Sequence, residues 1–188
     1  MFAIKYAFGL FLLSIAIAWL EIQIEGKHGW AEKLPCWRPS KDSLTSKIFS
    51  RLTGGKEATG YHLALITSEF FVVHFPFFAG VSWNWPSELF ALSSLPLLWI
   101  FEDFLWFVLN PHYGFKNFFK SKIKWHKKWL VFLPLDYFKW MMTSAVFIII
   151  GVAFYGTEIL SAWIITMISL AILTIIATAV YPLFKAGK

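Results

Sequence analysis

The chain has 188 residues, of which 58% are hydrophobic, 20% aromatic and 15% charged, and its 17 Lys and Arg against 11 Asp and Glu give a net charge of +6. Soluble domains carry about 25% charged residues, so this composition excludes a disordered chain and an ordinary soluble globule and points to a multi-pass membrane protein. The single cysteine, Cys36, excludes a disulfide framework.

A bilayer-spanning helix needs about 20 apolar residues, and five segments qualify. The first runs from Phe2 to about Glu21. Lys5, the apolar run behind it and Ala16-Ile17-Ala18 also have the parts of a secretory signal. Cleavage there would strand a strongly basic segment on the outer face, so the span is read as retained. Glu21, Glu25 and His28 stand at i, i+4 and i+7, on one face if the helix continues to Gly26. Over residues 40–53, Leu44, Ile48 and Leu52 recur at fours, the pattern of a short surface helix ended by Gly54-Gly55.

The second span covers 61–79, with His62 at its mouth and Glu69 seven residues further, about 10 Å deeper. His74, among Val72, Val73 and Phe75, reads as a packing histidine. The third span covers 88–109, with Ser87 as its expected N-cap and Asn110-Pro111 as its stop. It carries the adjacent acids Glu102 and Asp103, and Asp103 shares a face with Trp106 and Asn110. Between 115 and 129, Lys116, Lys120, Lys124 and Lys128 recur at fours beside Phe115, Phe119 and Ile123. That spacing predicts a basic amphipathic helix lying in the membrane interface. The fourth span covers 134–155, opened by Pro134 with Asp136 in its first turn. A tight turn at Gly156 leads into the fifth, 158–183.

Basic residues crowd the connections between spans one and two and between three and four, and recur at the C-terminus. The other two connections, 80–87 and 156–157, hold no Lys or Arg. With five spans this places every basic segment on one side, N-terminus out and C-terminus in. The expectation is an all-α integral membrane protein: one transmembrane domain over 1–188, a five-span bundle in a cell membrane of the prokaryotic inner or plasma type. The positive charge meets anionic headgroups and needs no nucleic acid to explain it.

Ionisable groups inside spans are costly and usually face the bundle interior. Here they gather in the cytoplasmic half. Candidate catalytic residues are Glu69, Glu102, Asp103, His62 and Asn110, because close buried carboxylates can hold and deliver a proton. Candidate metal ligands are Glu21, Glu25, His28, Glu69, Asp103 and His112, an oxygen and nitrogen set suited to a divalent metal. Lys116, Lys120, Lys124, Lys128 and His126 are candidates for holding the headgroup of an anionic substrate. Three functions follow as expectations. The first is an enzyme acting on a lipid or isoprenoid. The second is a non-catalytic subunit of a larger membrane complex; the partners expected are other membrane subunits or further copies of this chain in a homo-oligomer. The third is a proton- or cation-coupled transporter, which needs polar residues continuing to the outer face.

The stretch Phe101-Glu102-Asp103-Phe104-Leu105-Trp106-Phe107 resembles the acidic pair before aromatics in membrane carotenoid (lycopene) cyclases of the small heterodimeric type. The resemblance is confined to those residues and departs at Ile100, where that family has proline; the five-span layout and basic loops do not match it either. It implies a proton donor and a cation stabiliser at Glu102 and Asp103.

Overall fold

The computed structural model describes residues 1–119 and 123–185. Its elements in chain order are α1 (Phe2–Glu25), α2 (Leu44–Leu52), α3 (Gly60–Phe78), α4 (Trp85–Leu109), a 3₁₀ turn (Phe115–Asn117), β1 (Trp129–Leu130), β2 (Leu133–Pro134), α5 (Leu135–Tyr155) and α6 (Glu158–Lys185). Five of the helices are long and apolar enough to cross a membrane: α1, α3, α4, α5 and, through Pro182, α6. The protein is mostly helical, as an all-α bundle requires.

α4 is the centre of the bundle. It packs against α1, α3, α5 and α6, and 67% of its most apolar stretch is buried, against 22% for α3. Leu97, Leu98, Leu105 and Phe107 on it are fully enclosed. α3 lies at the periphery and touches the bundle chiefly along α4. Side chains exposed on α3, α5 and α6, such as Phe71, Phe75, Ile149, Phe154, Ile168 and Ile175, are those a bilayer would cover.

Several hydroxyls inside the helices satisfy themselves locally, as apolar surroundings favour. Ser14, Ser94 and Thr166 donate to the carbonyls of Leu10, Phe90 and Ala162, four residues back. Ser144 links three helices: it donates to the Ser93 carbonyl on α4 (2.7 Å) and accepts from the Trp163 indole on α6 (2.8 Å).

The segments joining α1 to α3 and α4 to α5 meet at one end of the bundle. Asn110 donates to the Gly26 carbonyl, and Lys127 donates to that of Gly55. The C-terminal part of α6 reaches the same end, where the Tyr181 hydroxyl donates to the Leu109 carbonyl. The opposite end holds the α3–α4 and α5–α6 turns. There Glu88 accepts from the Trp83 indole and pairs with His74 at 3.1 Å.

Several expectations are corrected. α1 runs on to Glu25, so Glu21 and Glu25 lie in its last turns. The N-cap before α4 is Asn84, which accepts from the Ser87 amide, rather than Ser87 itself. The amphipathic helix expected over 115–129 is not what its described residues form: they make the 3₁₀ turn, an irregular stretch from Ile123 that bends at Lys124 and Trp125, and strand β1. Lysines at every fourth position repel along a helix. Burying Phe118, Ile123 and His126 under α4 and α5 replaces the single apolar face that helix would have offered. An antiparallel hairpin follows, pairing Trp129 with Pro134 and presenting Val131 and Phe132 at an exposed tip. Lys120 lies outside the described residues.

Candidate functional site

The basic end of the bundle encloses a cavity of about 430 Å³. α1 contributes Glu21 and Glu25, α3 contributes His62, Leu65, Ile66 and Glu69, and α4 contributes Trp99, Glu102, Asp103 and Trp106. Trp30, Trp125 and Trp140 add to its largely apolar wall. α2 flanks it with Ile48, Phe49 and Leu52. Ser43 caps that helix by accepting from the Ser46 amide, Phe49 is buried, and Leu44, Ile48 and Leu52 stay exposed.

The segment after α1 shapes one side. Trp30 and Ala31 both adopt left-handed backbone, with φ of 59° and 50°, which L-residues rarely do. The turn is held by three bonds: the Ala31 amide donates to the Glu25 carboxylate (2.5 Å), Arg38 donates to the Ala31 carbonyl (2.6 Å), and the Trp30 indole donates to the Glu57 carbonyl (2.9 Å). Strain held this firmly tends to sit at functional sites. Its result is that Trp30 stacks on the His62 ring at 3.9 Å.

Two groups of ionisable residues meet at the cavity. In the first, Glu21, Glu25 and His62 each offer a ligand atom within 4.8 Å of the others. His62 Nε2 lies 3.9 Å from Glu25, and its Nδ1 is bonded to the Thr59 hydroxyl at 2.7 Å. Glu102 abuts Glu21 from α4, and its Oε1 has no hydrogen-bond partner among the described residues. Glu69 stands alongside, accepting from the Trp99 indole at 2.7 Å.

In the second, Asp103 accepts from the Tyr137 hydroxyl at 2.5 Å and from His126 at 3.1 Å, while the other nitrogen of His126 faces Asp136 at 3.5 Å. Asp136 also lies 3.8 Å from Lys139. Leaving a buried hydrogen-bonding group without its partner typically costs about 1–3 kcal/mol, so this group can fix the segment around His126 against α4 and α5.

Lys56 lies beside both groups. Its ammonium sits 4.2 Å over the Trp30 ring and 5.5 Å over that of Trp140 and has no hydrogen-bond partner among the described residues. Burial pushes its pKa below the ordinary 10.5, against the opposing pull of Asp103, Asp136, Glu102 and Glu21.

The structure thus brings together Glu21, Glu25, His62, Glu69, Glu102, Asp103 and His126 from the sequence candidates. It does not bring the others in. Asn110 is buried, but its side chain bonds the Gly26 carbonyl and the His112 amide. His28 pairs with Glu32 at 3.7 Å outside the cavity, and His112 is exposed. Lys116, Lys124 and Lys128 are exposed at the surface. His126 is engaged by two aspartates, which makes it a positioning group.

Lys56, Tyr137, Trp30, Trp99 and Thr59 were not singled out from sequence. The only available signal was Tyr137 beside Asp136 in the first turn of a span. No family model, curated protein or solved structure matches the chain.

Proposed function

We propose that the protein is an enzyme of a cell membrane, of the prokaryotic inner or plasma type, that acts on an amphiphile such as a lipid or isoprenoid. The observation that supports this best is the cavity: about 430 Å³, mostly apolar in its wall, with Glu21, Glu25, Glu69, Glu102 and His62 gathered on it. The exposed apolar face of α2 at its flank suits a substrate that arrives from the bilayer. In this reading the basic end faces the cytoplasm, the apolar wall holds the chain of the substrate, and the carboxylates with His62 handle its reacting group.

The transporter alternative has less support. Of the ionisable residues toward the opposite end, His74 and Glu88 are bound to each other, and Glu88 also to Trp83. The test is mass spectrometry of membrane lipid extracts incubated with the purified protein or with Glu102→Gln. The expected result is a lipid consumed by the wild type and spared by the variant. Identical profiles over a range of extracts would overturn the reading.

A further inference from the structure

Glu21, Glu25 and His62 are three potential ligands from two helices, all more than nine-tenths buried, with their ligand atoms within 4.8 Å of one another. An ion held at about 2.1 Å by each of two ligands can bring them no further apart than about 4.2 Å. The 3.9 Å between His62 Nε2 and Glu25 falls inside that limit, yet it is too long for a hydrogen bond. A second observation points the same way. Glu102 is 7% exposed, abuts Glu21 and leaves Oε1 without a partner among the described residues. A buried carboxylate oxygen that bonds nothing is expensive. The nearest ammonium does not relieve it, because Lys56 makes no hydrogen bond among the described residues.

We propose that Glu21, Glu25 and His62 bind one divalent transition-metal ion, with Glu102 as a fourth ligand. Thr59 supplies the outer support: with Nδ1–H donated to the Thr59 hydroxyl at 2.7 Å, His62 presents Nε2 as a lone pair to the ion. The imidazole draws the set toward zinc, iron or manganese, where carboxylates alone would suit magnesium or calcium. All four residues line the cavity, so an ion there keeps a position open toward it, as catalytic metals do. The inference deepens the enzyme reading, but metal binding is measured without any substrate.

The experiment uses the full chain in detergent, stripped with a chelator, dialysed and titrated with Mn²⁺ or Zn²⁺. One ion per chain is expected after desalting, with nitrogen coupling to an imidazole in the spin-echo spectrum of the Mn²⁺ form. Glu25→Gln and His62→Gln are expected to weaken binding at least tenfold, Thr59→Val by about 10–100-fold, and His28→Ala not at all. Three results overturn the site: no retained ion, equal binding in Glu25→Gln and His62→Gln, or loss on His28→Ala. Missing nitrogen coupling in the wild type does so without any variant. An ion bound with no lipid consumed would sink the enzyme reading alone. Lipid consumed with no ion retained would sink the metal site alone.

Discussion

Lys56 sits where an ammonium is costly, enclosed between indoles and without a hydrogen bond among the described residues. Its pKa in the folded chain is below 10.5, so between the two values the unfolded chain holds the proton and the folded one has released it. The penalty is therefore complete below the folded pKa and is relieved as pH climbs toward 10.5. Lys56→Met should raise the thermal midpoint in detergent at acidic and neutral pH, by up to about 1–4 kcal/mol of stability. The wild-type and variant curves should converge as the pH nears 10.5. Parallel curves would mean that burial does not govern this lysine. The acids at the cavity were legible in the sequence because a carboxylate inside an apolar span has few innocent explanations. Lys56 was not, because a lysine between spans reads as a topology signal until the fold encloses it.

Among the elements, the segment between α1 and α2 is sensitive to a single atom. Gly29 lies so close to the Trp125 ring that a Cβ would displace it, and Trp125 belongs to the cavity wall. Gly29→Ala should cost about 1–3 kcal/mol through overpacking and alter the near-ultraviolet circular dichroism of the neighbouring tryptophans. An unchanged spectrum and melting point would show that the indole moves freely. α2 was legible from Leu44, Ile48 and Leu52, whose spacing survives as an exposed apolar face. The same rule failed over 115–129. Periodicity there recorded where lysines fall, while Phe118, Ile123 and His126 were drawn inward by α4 and α5. Local pattern reports a helix faithfully only where no tertiary contact outbids it.

For the whole molecule, hydropathy located the five spans, because a run of apolar residues of that length has few other uses. The site that the spans assemble was legible only as depths along separate helices; which faces meet is settled by packing around α4. Orientation can be read directly. In a Cys36→Ser background, Lys127→Cys at the basic end should react with an impermeant maleimide only from the cytoplasmic side, and Trp83→Cys only from the other. The reverse pattern would invert the proposed topology, and labelling of both from one side would break the five-span layout.

The central place of α4 bears on how the chain is made. α1 and α3 precede α4 in the sequence; both pack on it, and they meet each other chiefly where His62 comes within 3.9 Å of Glu25. During synthesis, therefore, two spans carrying Glu21, Glu25 and Glu69 enter the bilayer before the helix that will shelter those acids exists. Assembly begins with the third span to emerge. Until then the insertion machinery, or water held at the interface, must stand in for the missing partner.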